Sequence, residues 1–197
     1  YDFSIYPVVR PEQVESLKHK YSADVLLITV TNFLPLKRPE KSIHIVKLLR
    51  DDGINVKLVL LGKGELEESL IRLAETLGVS DYVFFPGYVD NVLEYLAASS
   101  FVLHPSLSEA SCVSIKEAGL VNRPVIVCES VGDFREYIAH KESGFLVSTE
   151  NFVEAASAII REYRLEYSKL IQIGDRHRQS VISHFAIENV LPCYDLI

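Results

Sequence analysis

The 197 residues contain no tryptophan and no methionine, and only three cysteines. Cys112, Cys128 and Cys193 form no CxxC pair, which excludes zinc-ribbon and dithiol redox chemistry. An odd number without a recognisable signal peptide reads as free thiols in a reducing compartment. Long apolar runs are missing too. "VLLITV" and "VKLVLL" have the length of strands and fall far short of a membrane span, so the chain reads as soluble. Basic runs are also absent: 20 Lys and Arg stand against 27 Asp and Glu, for a net charge of -7. Without a Lys/Arg track for a phosphate backbone, nucleic acid is not expected as a main partner. The six histidines, at 19, 44, 104, 140, 177 and 184, show no metal-ligand spacing, and there is no DxD; no metal site is expected. His104, at the end of a strand, reads equally well as packing or as function. Because the chain opens at Tyr1 and lacks Met, it is read as a fragment of a longer protein.

What is present is a hydrophobic fraction of 48%, enough for one large α/β domain. Apolar runs of strand length alternate with helical patterns, the signature of βα units on a parallel sheet. The six strand candidates are "DVLLITVTN", "VKLVLLG", "YVFFPG", "FVLHP", "PVIVCES" and "GFLV". A helix is predicted from about Pro39, with Ile43, Val46 and Leu49 on one face. Another carries the stripe Leu66, Leu70, Leu73, Leu77 and stops at Gly78. Short helices are expected at 92–98, across Glu117 and at 134–138, and longer ones at about 151–164 and 166–184. Residues 1–23, with two prolines and little periodicity, read as a linker or lead-in segment. Residues 24–184 read as the Rossmann-like domain, and 185–197, interrupted by Pro192, as a tail or crossover helix.

A parallel sheet binds ligands at the carboxyl ends of its strands, where loops lead into helix N-termini. Those positions are 32–37, 62–64, 87–90, 104–111 and 129–132. Among them stands "PSLSEASCVSIKEAGL", with Glu109 eight residues before Glu117. On an ideal helix that spacing spans about 12 Å and roughly 80° of azimuth, so the two carboxylates cannot share one proton. They could accept hydrogen bonds from two ends of a polyhydroxylated ligand. From geometry alone, two solvated glutamates are the commoner case. The "GKG" at 62–64 could cradle phosphate, but a strand-to-helix turn needs permissive residues anyway, and the structural reading is favoured.

The ordered set "FVLHPSLSEASCVSIKEAGLVNRPVIVCESVGDFREYI" resembles the donor-binding segment of retaining GT-B glycosyltransferases with the E-x7-E pattern. The resemblance covers the chain from about residue 24 and implies the C-terminal, donor-binding half of a GT-B fold. Upstream, "TVTNFLPLKRPEKSI" resembles the family's loop ending in a diphosphate-binding Lys, here Lys37. The implied catalytic residues are Glu109 and Lys37. The implied donor-binding set is Asn32, Lys37, Arg38, Tyr88, Val89, Glu109, Ala110, Ser111, Cys112, Val113, Glu117 and Gly132. Within it Glu109 would face the donor sugar, Glu117 the ribose hydroxyls and Tyr88 with Val89 the base, although Tyr88 reads equally as a half-buried aromatic. The diphosphate would lie near Lys37 and a helix N-terminus at Ser111 or Cys112.

Two positions depart from the pattern. Asn32 replaces a common Arg, which shifts charge neutralisation onto Lys37 with help from Arg38. Asp133 would repel a phosphate unless it points away. The resemblance further implies a nucleotide-diphosphate sugar as donor, no cofactor and no required metal, an acceptor-binding N-terminal domain missing from this chain, and poor activity of the part in isolation. The expected setting is the cytoplasm or the cytoplasmic face of the membrane, with peripheral membrane association only through the missing half. A GT-B-related sugar-nucleotide epimerase, or a degenerate noncatalytic binding module, would share the same half.

Overall fold

The computed structural model describes residues 1–191; Pro192, Cys193 and the rest of the expected tail lie outside the described residues. Six parallel strands form one sheet in the order β3-β2-β1-β4-β5-β6. They are β1 (Val25–Val30), β2 (Val56–Leu61), β3 (Val83–Gly87), β4 (Phe101–His104), β5 (Val125–Cys128) and β6 (Phe145–Val147). All six strand candidates are thus realised, with ends trimmed by one or two residues. The central strands are buried along almost their whole length, as expected when helices cover both faces of a parallel sheet. Pro86 sits in β3, an edge strand, where a missing N–H costs no ladder bond.

The helices are α1 (Pro11–Tyr21), α2 (Glu40–Asp51), α3 (Glu67–Thr76), α4 (Val92–Ala98), α5 (Val113–Leu120), α6 (Phe134–Tyr137), α7 (Phe152–Tyr163), α8 (Tyr167–Phe185) and α9 (Ile187–Val190). Their inward stripes follow the helical period: Leu170, Ile173, Gly174, His177 and Val181 in α8, and Phe152, Val153, Ala156, Ile159, Ile160 and Tyr163 in α7. Helix α5 packs on α8, α2 on α7 and α1 on α4. Gly174 marks a close approach: a Cβ there would lie 2.0 Å from the Asn122 carbonyl oxygen.

Residues 1–23, read as a linker or lead-in segment, carry helix α1. Pro11 takes the first helical position, where its missing N–H is harmless, and the buried Val14 and Tyr21 supply a narrow apolar stripe. Just before it, Arg10 forms a two-point ion pair with the mostly buried Glu94 of α4, at 2.6 and 3.2 Å. The order of the strands reverses between β1 and β4, and there the crossovers leave on opposite sides and open a crevice above the strand C-termini.

Candidate functional site

The loops after β1, β2, β3 and β4 meet at that crevice around an open cavity of about 340 Å³. The sheet itself brings them together, because Thr31 N donates to Leu61 O at 3.0 Å and Gly62 N to Gly87 O at 3.0 Å. Gly62 is needed for this approach: its φ is 134°, and a Cβ would fall 1.9 Å from Thr31 O. Gly64 is similarly pressed against the Phe33 backbone. The structural reading of "GKG" therefore accounts for both glycines, although Gly62 also lines the cavity.

Of the sequence-predicted residues, the cavity wall gathers Asn32, Lys37, Tyr88, Val89, Glu109, Ser111, Cys112 and Val113. Tyr88 stands at the rim, 72% exposed, rather than half-buried. Arg38, Ala110, Glu117 and Gly132 are outside the wall. Arg38 adopts a left-handed backbone conformation (φ 48°) that turns it away from Lys37. Its guanidinium donates to Pro105 O at 2.7 Å, to Thr149 O at 2.9 Å and to Cys128 Sγ at 3.4 Å. The expected help for Lys37 is not what this placement offers, since Arg38 is spent on tying three loops together. Gly132 (φ 58°) packs behind the Glu109 loop, where a Cβ would lie 3.1 Å from Glu109 Cβ.

Lys37 ends a 3-10 turn, Pro35–Lys37, and its Nζ donates to Glu109 Oε1 at 2.6 Å and to Ser108 O at 3.1 Å. The same Oε1 meets His104 Nε2 at 2.8 Å. His104 is buried, and burial pulls its pKa down; hydrogen bonds with Cys112 and Glu109 outweigh that and hold it up at about 9. For Glu109, burial raises the pKa, but hydrogen bonds from His104 and Lys37 win and hold it at about 2. Cys112 is likewise pushed up by burial and drawn below the usual thiol range by His104. Glu109 is thus held on one oxygen between Lys37 and His104, and the Lys37 ammonium is the charge that this wall offers an anion.

Helix α5 opens onto the same wall. Its N-cap Cys112 makes no side-chain cap, so first-turn N–H groups lack a side-chain partner and the positive end of the helix faces the cavity. Glu117 lies one turn past Val113 and Ser114, on the face they share. It is half-buried, has no hydrogen-bond partner among the described residues, and its carboxyl pKa is pushed up by burial. Asp133 is held by Ser111 Oγ at 2.7 Å and by Lys116 Nζ at 3.2 Å, so it does not confront the cavity as a free carboxylate. Lys116 is 1% exposed and its ammonium also sits 4.3 Å over the Phe185 ring.

Sequence reasoning left His104 undecided and missed Lys116, whose place inside an amphipathic helix gives no signal. It also passed over Thr31, Val92 and Ser114 on the wall. His104, Glu109 and Cys112 can present ligand atoms within 4.8 Å of one another, as a metal site would. The Lys37 ammonium already occupies the carboxylate of that set, and a second cation there would meet its repulsion.

The model of the family Glycosyl transferases group 1 matches residues 11–179. Among curated proteins, the chain is 28% identical over 204 residues to an N-acetyl-alpha-D-glucosaminyl L-malate synthase of Bacillus anthracis, covering 100% of this chain and 52% of that protein. It is 19% identical over 188 residues to a poly(ribitol-phosphate) alpha-N-acetylglucosaminyltransferase of Staphylococcus aureus, covering 95% of this chain and 38% of that protein. The chain thus spans about half, or less, of the length of these relatives. Among solved structures, Anabaena Alr3699/HepE in complex with UDP superposes with a TM-score of 0.86 at 20% identity, over 100% of this chain and 55% of that one. The same protein in complex with UDP-glucose gives a TM-score of 0.86 at 21% identity over the same shares.

Proposed function

The chain belongs to the Glycosyl transferases group 1 family, and on that premise we propose that it is the donor-binding, C-terminal half of a retaining glycosyltransferase of the E-x7-E type, taking a nucleotide-diphosphate sugar as donor. The observation that carries this reading is the placement of Lys37, Glu109 and the uncapped N-terminus of α5 on one wall at the sheet's switch point. Structures of Alr3699/HepE in complex with UDP and with UDP-glucose support the choice of ligand class.

In this reading the diphosphate lies between Lys37 and the first turn of α5, where a charge-assisted donor and backbone N–H groups converge. Entry of the ligand exchanges the Glu109 carboxylate for phosphate as the partner of Lys37. Glu109 Oε1 is already held by His104, so the carboxylate keeps its orientation and presents an acceptor to the donor sugar. Glu117, half-buried and unpaired one turn further along α5, accepts from the ribose hydroxyls, and the loop of Tyr88 and Val89 borders the base. When the bond from the anomeric carbon to the diphosphate breaks, negative charge builds on the departing oxygen, and Lys37 with the α5 N-terminus stabilises it without a required metal. The acceptor side belongs to a further domain, and transfer by this half alone is expected to be poor because water is not excluded.

Calorimetric titration of UDP, other nucleoside diphosphates and their sugar conjugates, in chelator, tests the reading. Wild type is expected to bind without divalent metal, and Lys37→Ala to weaken the diphosphate by about 1.5 to 3 kcal/mol. Equal affinities of the two proteins would remove Lys37 from the site, and no binding of any nucleotide by wild type would overturn the donor-binding reading.

A further inference from the structure

A second cavity, of about 300 Å³, lies at the opposite edge of the sheet, where β1, β4 and β5 begin. Its wall carries three bases, Lys18, Arg123 and Arg164, against one acid, Asp24. That is the reverse of the balance in a chain of net charge -7. Nε of Arg123 and Nε of Arg164 are both shielded from solvent, and neither has a hydrogen-bond partner among the described residues. A group shielded from water is shielded from a ligand as well, so the donors left for an oxyanion are the terminal nitrogens of the two forks, which are not among the shielded atoms. Burial presses on Arg123 enough to pull its pKa below the usual arginine range.

The rest of the wall says what the acceptor is attached to. The first turn of α8, a helix of 19 residues without a side-chain N-cap, contributes Tyr167 and Leu170, so a positive helix end adds to the arginines. Ile171 and the Tyr167 ring, both exposed, supply apolar surface. The cavity has the volume of a small-molecule site and its mixture of apolar wall and few polar anchors.

We propose that this cavity is a second ligand site, distinct from the switch-point crevice, for a small molecule carrying a phosphate or carboxylate on a compact ring or apolar body. Planar guanidinium groups donate to either oxyanion in two-point fashion, and the aromatic and aliphatic wall takes the body. The site shares no residue with the crevice, and the inference does not rest on the donor assignment.

The test is calorimetry with phenyl phosphate, benzoate and inorganic phosphate on wild type, Arg123→Met, Arg164→Met and Lys37→Ala, with thermal unfolding to confirm that each variant is folded. Phenyl phosphate or benzoate should bind wild type more tightly than inorganic phosphate does, and which of the two binds better identifies the oxyanion. Each arginine substitution should weaken the better probe by about tenfold or more, and Lys37→Ala should leave it unchanged. If Arg123→Met does not fold, Arg123→Lys, which keeps the charge and loses the fork, is expected to show the same loss. No binding of either ring probe by wild type, unchanged affinity in the arginine variants, or an equal loss in Lys37→Ala would overturn the proposal.

Discussion

His104 shows how far a single residue escapes its sequence. Its position at the end of "FVLHP" fits packing, and only the folded chain reveals that its Nε2 shares Glu109 Oε1 with Lys37. A folded-state pKa of about 9 against an ordinary 6.5 means that its charge contributes stability fully below about pH 6.5 and loses it as pH rises through about 9. On the proposed reading, the same charge would help to hold the donor's diphosphate on the cavity wall. Loss of a unit charge about 4 to 8 Å away, at an effective dielectric near 20, is worth on the order of 2 to 4 kcal/mol. The ratio of wild-type to His104→Gln affinity for a nucleoside diphosphate, in which the ligand's own titration cancels, should therefore fall as pH rises from about 8 to about 10. A ratio independent of pH, measured by calorimetry in matched buffers, would show that His104 carries no charge in the site. The place of Lys37 and Glu109 on the cavity wall was legible because both fall in loops at the carboxyl ends of strands and in stretches that resemble the family's motifs. The diversion of Arg38 was not, since one left-handed backbone conformation decides it.

At the level of elements, strand content was readable because buried parallel strands form continuous apolar runs. Helix α1 was not, because its inward face has few residues and its opening proline resembles a turn. The seam between α5 and α8 was also hidden: no periodicity reports that Gly174 of α8 nearly touches the carbonyl that follows α5. Gly174→Ala would place Cβ 2.0 Å from Asn122 O and 2.7 Å from its carbonyl carbon. Backbone cannot rotate out of the way as a flexible side chain can, so α8 must shift. The expected cost is about 2 kcal/mol or more, read as a lower denaturant midpoint with an unchanged slope. Stability equal to wild type would mean that the helices slide freely at this seam. The N-terminus of α5 is part of the cavity wall, so a displaced seam would also be expected to weaken nucleotide binding.

For the whole molecule, the α/β class and the edge of the sheet that carries the crevice follow from βα alternation. The strand order does not, because nothing in the sequence states which strands are neighbours. The order places β1 between β2 and β4, so the crevice draws one wall from the loops after β2 and β3 and the other from β4 and α5. A nucleotide at 100 times its dissociation constant stabilises the folded state by about 2.7 kcal/mol. If the proposed donor spans both walls, hydrogen exchange should show that gain in the amides of β2 and of β5 alike. Protection confined to one half would mean that only one wall binds. Pairing β1 with β4 joins residues more than seventy positions apart, Leu27 to Phe101, a long loop closure that costs more entropy than the local contacts within each helix. A ligand of this crevice can therefore recognise only chains that have completed that closure. Half-built chains gain nothing from it and remain open to proteases, so the supply of ligand would set the lifetime of finished molecules and leave unfinished ones to be cleared.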